Sequence, residues 1–474
     1  MVNIIVELAK YILILFMGCY TFSCFSIFAR SHEDDQKRIL IQQNIFMFLI
    51  QFVAFMTMFL KKQDIKILAL YAASAVFLLI FIVLYRFLYP GVSVLIVNNM
   101  CMLLCIGFII LTRLDYTKAI KQLIFAAMGA IISLIVPIII KKLKILQDLT
   151  YLYAGCGIAA LALVVIFAQV TEGAKLGFTI AGFGVQPSEF VKIIFVFYVA
   201  SSLTKLQTFR DVVVTTAVAA AHVLILVFST DLGTALILFV VYLVMLYVAT
   251  QQPLYVLAGM GGGGLASVIA YHLFYHIQVR VSAWRDPFAN YSEGGYQVAQ
   301  SLFAIGTGGW FGMGLFQGLP DEIPVAAEDF IFSAIAEELG IIFALCFILV
   351  CVSCYVMFLN IAMAIKKQFY KFIALGLGTG YIFQVFLTIG GATKFIPSTG
   401  VTLPLVSYGG SSLLSTMILF GIIQGLYILN NNEDEPVEKK REREWTDEPQ
   451  RKSSKKKKEC KKPRFEEVPK QRVR

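Results

Sequence analysis

Residues 326–340 read AAEDFIFSAIAEELG, and this stretch decides how the chain folds. It ends a long polar interruption, about residues 276 to 329, and opens a hydrophobic run long enough for a helix. Acidic side chains at a membrane boundary cost desolvation free energy and usually serve chemistry, ion handling or a specific partner. The stretch therefore predicts a transmembrane helix with functional carboxylates at its mouth.

The composition is that of a membrane protein. Hydrophobic residues make up 58% of the chain and charged residues 15%, whereas a soluble domain carries about 25% charged residues. Hydrophobic runs of about 20 residues recur as far as about residue 430, and the alternation typical of barrel strands is absent. We expect an all-α polytopic membrane protein with one long extracellular loop. Half of the net charge of +10 lies in residues 433–474, which have no fold to carry nucleic-acid binding, so no nucleic-acid partner is expected.

Hydropathy predicts about thirteen transmembrane helices. The first three carry few polar groups and form an N-terminal extension, residues 1–90, with no visible chemistry. The predicted spans are 5–28, 40–60, 66–89, 92–112, 119–140, 148–170, 188–205, 210–228, 231–249, 253–275, 330–359, 370–390 and 408–430.

Lysine and arginine in three short loops, near 141–144, 205–210 and 366–371, predict the orientation. The positive-inside rule places the N-terminus outside, the loop at 276–329 outside and the tail at 433–474 in the cytoplasm. The tail is basic, rich in mixed charge and predicted to be disordered.

One loop contradicts this orientation, because Lys61, Lys62 and Lys66 fall outside. Either the span count in the first 90 residues is wrong by one, or the other loops outweigh this one.

Two polar clusters precede predicted helices. In the first, Pro187 suits the first turn of a helix, and Glu189 and Lys192 either form an i,i+3 pair or leave Lys192 facing a cavity where it attracts phosphate. In the second, Asp231 is placed to cap the next helix, and Gly233 permits close helix contact.

The long loop and the segment at 390–412 are rich in glycine. Glycines with two tryptophans predict an ordered re-entrant or interfacial loop. In the second segment, prolines and glycines break the helix at membrane depth, which is tolerated only where backbone lines a cavity or is buried in protein. The polar side chains that could bind a headgroup in these two regions are Gln297, Lys394, Ser407, Tyr408, Ser411 and Ser412.

Asp329 is the candidate general base. Apolar neighbours such as Phe330 disfavour its charged form, which raises its pKa and makes it a better base at neutral pH. Such a base suits the deprotonation of a sugar hydroxyl. No metal site is expected, because His272 and His276 lack a third ligand, and eight of the nine cysteines lie in apolar runs typical of packing.

Five motifs resemble the SEDS family of cell-wall polymerases (shape, elongation, division and sporulation; RodA/FtsW/SpoVE-like). The resemblance covers about residues 92 to 430 and implies about ten spans, and therefore a core at 91–432 behind the extension. The motifs are Gln186-Pro187-Ser188-Glu189, Asp231-Leu232-Gly233-Thr234-Ala235, Gly295-Tyr296-Gln297 with Gln300-Ser301, Asp329-Phe330-Ile331-Phe332 with Glu337-Glu338-Leu339-Gly340, and Leu403-Pro404-Leu405 with Ser407-Tyr408-Gly409-Gly410-Ser411-Ser412.

The resemblance implies a peptidoglycan glycosyltransferase that polymerises lipid II at the outer face of the bacterial plasma membrane. Its essential aspartate matches Asp329, and Lys192 and Lys394 become candidates for pyrophosphate contacts. It further implies a class B penicillin-binding protein as partner and allows a divalent cation at the pyrophosphate. A lipid II flippase and a scaffold that recruits a transpeptidase remain the alternatives. The remaining candidate substrate-binding residues are Glu189, Asp231, Gln297, Ser407, Tyr408, Ser411 and Ser412.

The chain departs from the family pattern near its aspartate. Ala327-Glu328 stands where the family has His-Thr, Pro324-Val325-Ala326 where it has Pro-Glu-Ala, and Lys175-Leu176 where it has Arg-Trp. A carboxylate at Glu328 is predicted to raise the pKa of Asp329 by like-charge repulsion.

Overall fold

The computed structural model describes residues 2–431, apart from residues 31, 143, 168, 172–173 and 181–182. The predicted tail at 433–474 lies outside the described residues. Helices dominate the described ranges: α1 (Val2–Ser26), α2 (Glu33–Lys62), α3 (Ile65–Leu88), α4 (Val94–Leu114), α5 (Tyr116–Lys142), α6 (Thr150–Phe167), α7 (Pro187–Leu203), α8 (Phe209–Phe228), α9 (Leu232–Thr250), α10 (Pro253–Leu273), α11 (Tyr275–Arg285), α12 (Tyr296–Gly308), α13 (Ile331–Ala364), α14 (Gln368–Ala392) and α15 (Gly410–Asn431).

Twelve of these helices are long and apolar enough to cross a membrane, counting the described residues alone. The one predicted span outside this count is 188–205, which corresponds to α7. Its 17 residues fall just short of the roughly 20 that a bilayer core requires. The predicted polytopic all-α fold is therefore confirmed.

A small antiparallel sheet between α6 and α7 was not predicted. Its strands, β1 (Gln169–Thr171), β2 (Ala174–Ile180) and β3 (Phe183–Val185), lie in the order β1-β2-β3. The predicted span 148–170 therefore ends early, at Phe167. Period-2 pairing over three to seven residues is too short to show in a hydropathy window.

The long loop is ordered, as predicted. After α11 and α12 it continues as residues 309–322, here called the anchored segment, whose backbone pairs with α13. Met313 N donates to Glu337 O and Gly314 N to Glu338 O, each at 2.8 Å. These bonds satisfy amides that would otherwise be unpaired in a loop of this length.

A backbone break in α13 makes this pairing possible. Gly340 has φ +86°, outside the helical region, and Ile341 N donates to Gly309 O at 3.0 Å across the break. A Cβ built on Gly340 would lie 2.4 Å from Gly312 N, so both the dihedral angle and the close approach require glycine.

The N-terminal extension packs on the rest of the helices through buried polar side chains. Tyr20 OH donates to Asn99 Oδ1 at 3.0 Å, and Asn99 Nδ2 donates to Ser353 Oγ at 3.2 Å. Asn98 Nδ2 donates to Gln43 Oε1 at 3.0 Å. Such bonds join helices where lipid offers no partner, and residues 1–428 accordingly form one compact unit.

Candidate active site

Asp329 lies half-buried in the turn that enters α13. Its backbone N donates to Val325 O at 3.1 Å, and the next residue, Phe330, is fully buried. A Cβ built on Gly400 would lie 3.5 Å from Asp329 Oδ2 and 3.6 Å from Arg280 Nη2. A carboxylate and a guanidinium therefore converge on one glycine, whose φ of +71° favours a residue without a side chain.

Ser407 and Tyr408 hold the segment that carries Asp329. Ser407 Oγ donates to Glu328 O and accepts from Leu403 N at 3.0 Å. Tyr408 N donates to Ala327 O at 2.8 Å. Both predicted substrate-binding residues thus position the aspartate through its two preceding residues.

Glu328 has a cation partner that sequence reasoning missed. Lys118 Nζ lies 2.8 Å from Glu328 Oε1 and 5.7 Å from the centroid of the Tyr408 ring. The ion pair offsets the predicted repulsion between Glu328 and Asp329. Burial raises the pKa of Tyr408; Lys118 opposes that rise, while Glu328 and Asp115 add to it. The phenol therefore stays protonated at neutral pH.

Side chains of α11 hold the glycine- and proline-rich segment against the site. Arg280 Nη1 donates to Ser398 O at 3.1 Å, and Trp284 Nε1 donates to Lys394 O at 3.2 Å. Lys394 itself adopts φ +60°, an uncommon conformation outside glycine. The predicted lysine is therefore held at this end of the fold by the loop helix.

Lys192 belongs to a buried polar chain. Its Nζ lies 2.8 Å from Glu189 Oε2 and donates to Gln384 Oε1 at 2.7 Å. Ser415 Oγ donates to Glu189 Oε2 at 3.0 Å, and Gln384 Nε2 donates to Thr402 O at 2.9 Å. The i,i+3 pair is thus present, and it faces a cavity as well.

That cavity lies among α7, α9, α14 and α15, with a volume of about 30 Å³. This is room for about two water molecules. The residues with polar side chains that line it are Glu189, Lys192, Tyr381, Gln384, Ser415 and Thr416.

Asp231 caps α9, as predicted, and also joins α9 to α7. Its Oδ1 accepts from Thr234 N at 3.1 Å. Its Oδ2 accepts from Ser188 Oγ at 2.8 Å and from Gln186 Nε2 at 3.3 Å. Each carboxylate oxygen is therefore bonded inside the protein.

Ser411 and Ser412 begin α15 and bind two neighbouring segments. Ser411 Oγ accepts from Gln186 N at 2.9 Å, and Thr402 Oγ1 donates to Ser412 Oγ at 2.7 Å. The side chain of Val401 occupies the space that a side chain at position 233 would need. This explains why a glycine stands there.

Residues 398–402 connect the two halves of the site. Asp329 and Arg280 meet at Gly400, whereas the chain from Lys192 reaches Thr402 through Gln384. Gln297 lies half-buried in the first turn of α12. It belongs neither to the contacts at Gly400 nor to the polar chain from Lys192 to Thr402.

No metal centre emerges within the described ranges. No three or more histidine, cysteine, aspartate or glutamate side chains there are grouped so as to hold a metal ion. Burial lowers the pKa of His276, and the charge of Arg280 lowers it further, so this imidazole is neutral at pH 7. The divalent cation that the family resemblance allows at the pyrophosphate is not tested by these residues.

Fold and site together define an integral membrane protein with a polar site at one end of its helices. The family model for "Cell cycle protein" (FtsW, RodA, SpoVE) matches residues 89–432. The chain belongs to this family.

Relatives and solved structures agree with that assignment. The chain is 36% identical to peptidoglycan glycosyltransferase RodA of Mycobacterium leprae, over 67% of this chain and 74% of the relative. It is 31% identical to the probable peptidoglycan glycosyltransferase FtsW of Bacillus subtilis, over 59% and 75%. In fold it resembles the RodA crystal structure of Thermus thermophilus, with a TM-score of 0.55 and 22% identity over 71% of this chain and 96% of that one.

A second solved structure with a similar fold is described as "Structural coordination of polymerization and crosslinking by a peptidoglycan synthase complex". Its TM-score is 0.60 at 23% identity, and the match covers 71% of this chain and 97% of that chain.

Proposed function

We propose that this protein is a peptidoglycan glycosyltransferase that polymerises lipid II at the outer face of the bacterial plasma membrane, for division, elongation or sporulation. The observation that carries the proposal is the meeting of Asp329 and Arg280 at Gly400. A carboxylate, the proposed base, lies there beside a guanidinium. The curated relatives named as peptidoglycan glycosyltransferases support the reaction class.

In the proposed reaction, Asp329 accepts the proton of the acceptor sugar's 4-hydroxyl. The hydroxyl oxygen attacks the anomeric carbon of the growing chain with inversion, and a new glycosidic bond forms. The bond from that carbon to undecaprenyl pyrophosphate breaks, and the electron pair leaves with the pyrophosphate. The cations proposed to stabilise that leaving group are Arg280, which donates to Ser398 O, and Lys394, whose backbone carbonyl accepts from Trp284.

The other predicted site residues divide by their contacts. Ser407, Tyr408, Ser411, Ser412 and Asp231 are proposed to shape the site through bonds within the protein. Lys192 and Glu189 form a polar end to the cavity. Gln297, on α12, is proposed to meet substrate from the loop side.

The topology proposed for this function puts the N-terminus outside, residues 433–474 in the cytoplasm and the site outside, around a core of residues 91–432 that follows the extension at 1–90. The proposed partner is a class B penicillin-binding protein, which would cross-link the strands. The related fold from a peptidoglycan synthase complex supports such a partner.

Purified full-length protein in detergent, supplied with labelled lipid II, tests the function directly. We expect a ladder of glycan strands on a denaturing gel. Movement of the headgroup across a vesicle membrane without strands would instead identify a flippase, and neither activity would identify a scaffold. Either result contradicts the proposal.

A further inference from the structure

We propose that Lys10, on the N-terminal extension, is a positioning residue for Asp329. This deepens the proposed function and rests on it. The family model begins at residue 89, so the contact involves a part of the chain outside the matched family region.

The first observation is a charged hydrogen bond from α1 to the anchored segment. Lys10 Nζ donates to Gly312 O at 3.1 Å and lies 2.7 Å from Glu7 Oε2. Only 11% of the Lys10 side chain is exposed. A hydrogen bond with an ionised donor is roughly twice as strong as a neutral one, so this contact fixes the loop carbonyl.

Neighbouring side chains of α1 extend the same contact. Buried Val6 lies 3.1 Å from the position of a Cβ on Gly314. The rings of Tyr11 and Phe311 have centroids 5.5 Å apart. The anchored segment therefore contacts α1 as well as the break in α13.

The extension reaches the same segment a second time, from the end of α2. Lys62 Nζ lies 4.9 Å from the centroid of the Phe316 ring, and Arg113 Cζ lies 4.6 Å from that centroid. Phe316 N donates to Glu338 Oε1 at 3.1 Å. One ring thus contacts a cation of the extension and a cation of α4.

Hydrogen-bonded turns join the anchored segment to Asp329. Leu319 N donates to Glu337 Oε1 at 2.8 Å. Successive turns follow, in which Ile323 N donates to Pro320 O at 3.2 Å and Asp329 N to Val325 O at 3.1 Å. A shift of the anchored segment is therefore passed to the base, and a misplacement of about 1 Å can cost about a hundredfold in rate.

The test compares full-length variants in detergent. In Lys10→Met, which keeps the apolar stem, we expect kcat for strand synthesis to fall about tenfold while KM changes less than about twofold, because base geometry matters most in the transition state. Amide hydrogen exchange of residues 311–322 should accelerate about tenfold, since the local opening free energy falls. Lys10→Arg should recover most of both effects. Lys37→Met, at an exposed lysine of the same extension, is the matched control and should match the unmodified protein.

Wild-type kcat in folded Lys10→Met, or a loss of kcat without faster exchange in the anchored segment, overturns the proposal. If Lys10→Met does not fold, Lys62→Gln replaces it as the test variant, because Lys62 is exposed and its substitution should not disturb folding. Unchanged kcat and unchanged amide exchange in Lys62→Gln would count against positioning of Asp329 by the extension. If the unmodified protein makes no strands, the proposed function fails, and the exchange measurement still tests the contact.

Discussion

Asp329 takes its position from residues that surround it in space and are far from it in sequence. Ser407 and Tyr408 bind the carbonyls of the two preceding residues, and Arg280 approaches the same glycine. Glu328, which stands where the family has threonine, leaves this support intact. Ser407 binds its backbone carbonyl, and Lys118 pairs with its side chain.

The first prediction concerns the base itself. Asp329→Asn should lower strand synthesis by about 10² to 10⁴-fold, the usual contribution of a general base, with no loss of membrane insertion. The measurement is turnover of labelled lipid II by purified protein. Asp286→Asn on the same loop, where the side chain accepts from Phe288 N, is the control and should stay active. Near-normal turnover by Asp329→Asn would remove it from the role of base.

The buried pair of Glu189 and Lys192 gives the second prediction. Removing one partner of a buried ion pair leaves an uncompensated charge and costs about 3–5 kcal/mol. Lys192→Met should therefore lower the thermal unfolding temperature in detergent, and Glu189→Gln combined with Lys192→Met should recover much of it. Lys205→Met, at an exposed pair with Asp148, should change little. If the double variant is no more stable than Lys192→Met alone, an uncompensated charge on Glu189 is not the cause of the loss.

At the scale of elements, the break in α13 joins the loop to the helix that follows Asp329. Gly340 permits the break, and the buried carboxylates of Glu337 and Glu338 accept from amides of the anchored segment. These acids, whose motif first indicated function, therefore bind the loop, and Glu338 also pairs with Arg113 at 2.6 Å.

The third prediction is that Gly340→Ala detaches the anchored segment. A Cβ there would lie 2.4 Å from Gly312 N and 2.6 Å from Trp310 O. The backbone angles, φ +86° and ψ 164°, lie in a region almost confined to glycine, which costs other residues about 1–3 kcal/mol more. We expect a lower unfolding temperature and faster amide exchange at residues 309–322. Gly380→Ala in α14, where the nearest atom is 3.5 Å away, is the control. Equal stability of the two variants would contradict the role of the break.

The sequence predicted the spans well because hydropathy acts locally, and it pointed to Asp329 because the flanking motif is distinctive. It did not point to Lys118 or Gln384, which lie in apolar helices and meet their partners only after packing. The contact of Lys10 with Gly312 joins positions 302 residues apart, and no local pattern carries such information.

At the scale of the whole molecule, the extension and the site share one end of the fold. The loop whose lysines contradicted the predicted orientation lies at this end, since Lys62 packs over Phe316. All three helices of the extension are long and apolar enough to span a membrane, which agrees with the predicted span count in the first 90 residues. The contact of Lys62 with the Phe316 ring accounts for a lysine in this loop.

The fourth prediction concerns the extension as a unit. Expression of residues 89–474 alone should give a less stable protein, because Asn98 and Asn99 lose buried partners in the extension and unpaired buried amides cost about 1–3 kcal/mol each. Co-expression of residues 1–88 as a separate chain should restore the unfolding temperature. A Gln43→Leu version of that chain should restore less. Full stability of residues 89–474 alone would show that the interface contributes nothing.

The break at Gly340 also bears on how the nascent chain enters the bilayer. The part of α13 beyond it, from Ile341 to Ala364, is about 24 residues long and therefore about 36 Å, which exceeds the roughly 30 Å of hydrocarbon. The insertion machinery thus meets a complete apolar segment that excludes Glu337 and Glu338. Neither carboxylate has to enter lipid during biogenesis, and each can acquire its amide partners as the loop folds.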